Sequence, residues 1–176
     1  VIVNEPVSYF ELRFVHCDSL SRIILPKTLK RFGSSHNELY GSLGFGYNFY
    51  KCPSLIEIEL PNGLDSIGIA SLAYTEIKQM SIPNTVSYIG NYAFANCKSL
   101  SELRIPESVK NIEVAAFSGC TSLLSLAIPN SVSSIGPSAF RNCSKLKSIV
   151  LSNNLKTLEY GTFYLCKELE EISIPE

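Results

Sequence analysis

A proline-centred motif, I-P-x-S/T-V with close variants, returns along this chain at nearly fixed intervals, and no other feature restricts the fold as much. Taken on its proline, the motif falls at Pro26, Pro61, Pro83, Pro106 and Pro129, and Ser152 and Pro175 continue the series. The steps are 35, 22, 23, 23, 23 and 23 residues, so the period is 23 with one long and one short unit. A constant period of this size signals stacked units, each of which touches only its neighbours.

Other columns keep the same phase. Six residues before the proline stand Leu20, Leu55, Leu100, Leu123, Leu146 and Leu169; in the short unit Ile77 fills the place, one residue early when counted from Pro61. Three before it come Ile23, Ile58, Met80, Leu103, Leu126, Ile149 and Ile172, and one before it Leu25, Leu60, Ile82, Ile105, Ile128, Leu151 and Ile174. L-x-x-I-x-I of this kind reads as a short strand with alternating sides. A second apolar pair follows the proline at three residues (Leu29, Leu64, Val86, Val109, Val132, Leu155) and at six (Phe32, Ile67, Ile89, Ile112, Ile135, Leu158). Then comes an aromatic column, Phe14, Phe49, Phe94, Phe117, Phe140 and Phe163, with Leu72 substituting in the short unit. The apolar spacing resets every few residues and turn signals interrupt it, so the expectation is a right-handed, β-rich solenoid of short strands and tight turns with little helix. About six to seven stacked repeats would form one domain over 1–176. A single unit buries too little to offset its own ordering entropy; stacking closes the deficit.

The six cysteines share this periodicity. Cys17, Cys52, Cys97, Cys120, Cys143 and Cys166 all lie nine residues before a proline position, and Thr75 takes that place in the short unit. A residue that recurs once per turn belongs to an internal ladder of small side chains. Parallel stacking at about 4.8 Å sets neighbouring Cβ atoms beyond the separation that a disulfide prefers. Tetrahedral zinc ligation would require ligands that converge rather than line up. The expectation is therefore free structural thiols, with no bridge, metal or other cofactor.

Composition narrows the partners. Fifteen basic against sixteen acidic residues leave a formal net charge of −1, which gives no long-range positive field for nucleic acid or an anionic membrane. No apolar run approaches the roughly 20 residues of a membrane span, and the opening Val1-Ile2-Val3 lacks the basic flank of a signal peptide. With no initiating Met and a last motif that stops in mid-repeat at Glu176, the sequence reads as a soluble piece of a longer protein.

The unit L-x-E-L-x-I-P-x-S-V-x-x-I-x-x-x-A-F-x-x-C, seen most fully from Ser81 to Cys143, resembles the BspA-like leucine-rich repeats. Ile105-Pro106-Glu107-Ser108-Val109, followed by Ala116-Phe117 and Cys120, carries the likeness; Leu72, Thr75 and Ser152 depart from it. The resemblance implies a leucine-rich-repeat solenoid from a secreted or cell-surface protein of bacteria or protists, one that contacts host or extracellular proteins. It defines a scaffold and leaves the partner to the variable positions.

On the strand face the outward columns are Arg22, Glu57, Gln79, Glu102, Ser125, Ser148 and Glu171, and Ile24, Glu59, Ser81, Arg104, Ala127, Val150 and Ser173. The first half is charged through Glu57, Glu59, Glu102 and Arg104, whereas Ser125, Ala127, Ser148 and Val150 form a small neutral strip beside Leu124. Concave sheets of solenoids commonly bind partners; a plainly solvated face is the competing reading. The long unit adds residues at about 33–48. Gly41, Gly44 and Gly46 read as a flexible loop there, and Tyr40, Phe45 and Tyr47 either contact a partner or fold back over the stack. G-x-x-G-x-G without the Lys-Ser/Thr and the strand-to-helix setting is no phosphate loop.

Catalysis finds little support. His16 and His36 are the only histidines, and a pair with Cys17 would need that thiol outside its ladder. Glu57 with Glu59, or Glu170 with Glu171, read as solvated rows rather than an acid/base pair. Two readings stay open: a noncatalytic protein-binding domain of a secreted or surface protein, with adhesion to host or extracellular proteins as its finer form, or a structural spacer or intracellular scaffold that holds other domains.

Overall fold

A computed structural model describes residues 9–10, 13–33 and 47–174. Described segments contain strands and turns without helix, wound so that each turn lies beside the one a period away. Seven three-residue strands occupy the L-x-x-I-x-I positions: β2 (Arg22–Ile24), β4 (Glu57–Glu59), β6 (Gln79–Ser81), β8 (Glu102–Arg104), β10 (Ser125–Ala127), β12 (Ser148–Val150) and β13 (Glu171–Ser173). A second side carries two-residue strands: β1 (Tyr9–Phe10), β3 (Arg31–Phe32), β5 (Ser66–Ile67), β7 (Tyr88–Ile89), β9 (Asn111–Ile112) and β11 (Ser134–Ile135). These six form one parallel sheet in the order β1-β3-β5-β7-β9-β11.

Register reproduces the sequence period pair by pair. Ile23 faces Ile58, Met80 faces Leu103, Leu126 faces Ile149, and Ile67, Ile89, Ile112 and Ile135 follow one another on the second side. Phe32 pairs with Phe10, so β1 precedes Phe14 and Cys17 as β7 precedes Phe94 and Cys97. Between the two sides the proline ends the strand, having no N–H to offer a ladder. Its carbonyl then accepts the N–H three residues on, as in Val86 to Pro83 (3.0 Å) and Val109 to Pro106 (3.1 Å). Ser152 stands in by bonding: its hydroxyl donates to the Val132 carbonyl at 2.7 Å.

The third side is a turn that contains two left-handed residues four positions apart. Tyr92 and Asn96 (φ 57° and 58°), Ser138 and Asn142 (58° and 57°), and Ala115 and Gly119 (51° and 77°) mark it in successive turns. Non-glycine residues are strained in this region, and the gain is a further ladder. The Phe94, Phe117 and Phe140 N–H groups donate to the carbonyls of Ala116, Ala139 and Thr162 in the following turn, at 2.8, 2.8 and 3.0 Å.

Inside, the phenylalanine column is a stack of rings. Phe94, Phe117, Phe140 and Phe163 lie 5.1, 5.5 and 5.9 Å apart between successive centroids, within 9° of parallel. Phe14 stacks on Phe49 at 5.3 Å, and Leu72 interrupts the column where the short unit falls. Phe94, Phe117 and Phe140 are fully buried; Phe163 is half-buried, since no described turn covers its far side.

Beside the rings run the cysteines, all six free thiols. Each of the inner ones donates to a phenylalanine carbonyl of the preceding turn: Cys120 to Phe94 and Cys143 to Phe117 at 3.3 Å, and Cys166 to Phe140 at 3.1 Å. That same carbonyl also accepts the N–H of its own turn's cysteine, as Phe94 does from Cys97 and Phe117 from Cys120. In the short unit Leu72 supplies the carbonyl, which takes the Thr75 hydroxyl at 2.8 Å and the Cys97 thiol at 3.1 Å. Burial pushes the Cys52 and Cys97 thiols up to about 11.

Replacing Phe117 by Ala opens a cavity in mid-stack and should cost about 3 to 5 kcal/mol in denaturant unfolding; faster amide exchange in the turns around residue 117 would locate the damage. The thiols add a pH dependence. Unfolded cysteine ionises near 9 while Cys97 ionises near 11, so the unfolded chain loses its protons first and stability falls as pH rises from about 9 to 11. Melting curves across that window should decline less steeply for Cys97→Ala than for the parent.

Candidate binding face

Five of the seven three-residue strands bury their middle residue, as in Glu57–Glu59 and Gln79–Ser81, while Leu103 of β8 is half-buried and Ile172 of β13 is exposed. Every outward column named from the sequence reaches the surface of this face, although Ser148 and Ser173 are half-buried. The face is not one sheet. Backbone ladders join β2 to β4, β6 to β8, and β10 to β12 and β13, with breaks between β4 and β6 and between β8 and β10.

The first break has a cause in the sequence. From the proline position to the next leucine column the usual count is 17 residues, as from Pro83 to Leu100, but from Pro61 to Ile77 it is 16. The missing residue lies between Thr75 and Ile77, because Thr75 still meets Leu72 as a cysteine would meet phenylalanine. Where neighbouring strands pair, the residue before the strand donates to its counterpart one turn earlier, as Ser101 does to Lys78 at 2.9 Å. Here Glu76 bonds the Leu55 carbonyl instead, at 3.1 Å, and β6 enters the face without a ladder to β4.

A groove of about 760 Å³ opens across β4, β6 and β8. Glu57, Glu59, Gln79, Ser81, Glu102 and Arg104 form its walls, and Ile58, Met80 and Leu103 its apolar floor. Leu103 is only partly covered, unlike the buried Leu126 and Ile149 of the next strands. Three carboxylates against one guanidinium make the groove acidic. A smaller hollow of about 100 Å³ continues it between β2 and β4, where Arg22 approaches Glu57 at 3.9 Å. Both groups of that pair are well exposed, so it adds little to stability.

Ser125, Ala127, Ser148 and Val150 lie outside the groove, on β10 and β12, with exposed Leu124 beside them. The face therefore divides into the acidic groove and a nearly neutral strip. Met80 and Leu103 read from the sequence as core; Met80 is buried, whereas Leu103 is only partly covered. Tyr40 and Phe45 lie outside the described residues. Tyr47 is half-exposed, and its backbone belongs to the left-handed turn rather than to the inserted loop: its N–H donates to the Ile69 carbonyl at 2.9 Å and its φ is 61°. The ladder residues Phe94, Phe117, Phe140 and Phe163, with Cys97, Cys120, Cys143 and Cys166, all lie in or against the core.

Parallel short strands, one phenylalanine per turn and internal aliphatic columns define a leucine-rich-repeat solenoid, a class of interaction scaffold. Residues 66–176 match the family model described as BspA type leucine rich repeat region, in six copies, and the chain belongs to this family. Its fold is similar to a leucine-rich repeat protein of T. pallidum (TM-score 0.77, 29% identity), over 86% of this chain and 68% of that one. It is also similar to a leucine-rich repeat protein of Bacteroides ovatus (0.61, 23%, covering 92% and 56%). The pneumococcal vaccine antigen PcpA shares the fold at 0.58 and 18% identity, over 88% of this chain and 51% of that one. No curated protein matches the sequence.

Since Glu57 contributes to the groove and not to the core, Glu57→Gln should shift unfolding free energy by no more than about 1 kcal/mol. Chemical denaturation of the two proteins side by side measures this, and it makes the groove open to charge substitution without loss of fold.

Proposed function

We propose that this chain is a noncatalytic binding module of a secreted or cell-surface protein, and that its acidic groove receives a protein partner with exposed lysine or arginine side chains. The supporting observation is the groove itself. Glu57, Glu59 and Glu102 cluster along it, and beneath them lie Met80, which is buried, and Leu103, which is only partly covered. An apolar floor with a charged rim is the usual anatomy of a protein interface, and the carboxylates would steer a basic partner. Placement outside the cell follows the character of the family, and host or extracellular matrix proteins are the partners it suggests.

Surface-immobilised chain, screened against extracellular matrix and serum proteins, should retain at least one basic partner. Glu57→Lys with Glu102→Lys should weaken that complex by about tenfold or more, and raised salt should slow its association. Ser125 and Ser148 substitutions should leave it intact. Binding that survives Glu102→Lys combined with Arg104→Glu would remove the groove from the interface.

A further inference from the structure

Away from the strand face, the left-handed turns carry a row of tyrosines. Tyr47, Tyr74 and Tyr92 are each about two-fifths exposed and have φ of 61°, 60° and 57°. In later turns the equivalent positions hold Ala115, Ser138 and Gly161, and Asn96, Gly119, Asn142 and Leu165. The turn accepts many side chains at the cost of left-handed backbone, so it does not itself call for tyrosine. Their rings pack edge to face: Tyr47 on Tyr50 at 5.1 Å and Tyr50 on Tyr74 at 5.3 Å, interplanar angles 86° and 74°. Beneath them Ala70, Ala73 and Ala95 are buried and make a flat floor.

Two shallow compartments lie along this row and share Tyr74 and Asn96 as a common wall. One, about 280 Å³, is lined by the tyrosines, the alanines and Ser118. Its neighbour, about 330 Å³, holds Lys51 and Lys98 opposite Asp18 and Glu76, with His16 at the edge. The formal charges of the four ionised side chains cancel, and the lining offers both donors (Lys51, Lys98, Asn96) and acceptors (Asp18, Glu76, Asn96). Lys51 lies over one face of the Tyr50 and Tyr74 rings at 5.3 and 5.9 Å, so a ligand cation would meet an ammonium there. A proline-rich strand would need slots between parallel rings; edge-to-face packing closes them.

We propose that this surface binds a neutral saccharide chain, with two successive hexopyranose units in the two compartments. A pyranose has an apolar C–H face that suits a tyrosine ring, and a rim of hydroxyls that are both donors and acceptors. Amide, ammonium and carboxylate groups at the edge of an aromatic floor match that rim. The site is independent of the strand-face groove.

Titration with maltohexaose, cellohexaose, mannohexaose and laminarihexaose, read by tyrosine emission, tests this; the chain has no tryptophan to mask the signal. At least one sugar should change the emission with a dissociation constant between about 10 μM and 1 mM. Tyr74→Gly and Asn96→Gly place at these positions the residue that Gly119 already supplies, so both should fold by circular dichroism and bind about thirtyfold more weakly. Tyr164→Ala, whose ring meets Arg141 in a distant turn, should bind as the parent does. Unchanged emission with all four sugars at about 10 mM, parental affinity in the folded Tyr74→Gly protein, or response only to an anionic oligouronate or a decaproline peptide would overturn the proposal.

Discussion

In the turns of Phe94, Phe117 and Phe140, the carbonyl of the column phenylalanine accepts two donors at once. The N–H of its own turn's cysteine closes the local bend, and the thiol of the next turn's cysteine ties that bend to its neighbour. A carbonyl has two lone pairs, and both are used in a place where water is excluded and an unmade bond would be costly. The pairing requires small donors at a constant offset from a constant aromatic position. That requirement links the period, the cysteine ladder and the ring stack into one constraint.

From it follows a molecule whose contacts are almost entirely between adjacent turns. Parallel strands on two sides and the left-handed turns on the third each pass hydrogen bonds to the neighbouring turn, and the rings of Phe94 to Phe163 stack in between. Such an array is specified by its inward columns and indifferent to its outward ones. Binding chemistry can thus accumulate on the outside without disturbing the core. It does so at two places: an acidic groove over Met80 and Leu103, and a tyrosine row over Ala70, Ala73 and Ala95.

The short unit connects these ideas. Removing one residue between Thr75 and Ile77 preserves the buried positions, since Thr75 and Ile77 remain in the core, yet the lost residue breaks the ladder between β4 and β6. Packing tolerates the deletion because side chains can still fill the columns. Backbone hydrogen bonding does not, because its register is set by residue count. This irregularity lies within the groove across β4, β6 and β8, and a second break, between β8 and β10, falls where the repeat keeps its full 23 residues.

Repeat period, solenoid class and internal columns could be read from residue spacing alone, because a side chain that recurs once per turn must fall in the same environment every time. Ile58 below Glu57 and Glu59, or Phe117 between Phe94 and Phe140, needed only counting. The strand Tyr9–Phe10 escaped that count, since Phe10 stands four residues before Phe14 where Ile89 stands five before Phe94, and its pairing with Arg31–Phe32 shows it. The groove and the tyrosine row were equally hidden: Met80, Leu103 and Tyr47 have ordinary places in the pattern. Whether such a residue is sealed or open depends on how neighbouring backbones meet, on a missing ladder in one case and on paired left-handed turns in the other. One-dimensional periodicity determines which residues face inward; only the three-dimensional register between turns decides where the surface opens, because that register is a property of two chain segments together.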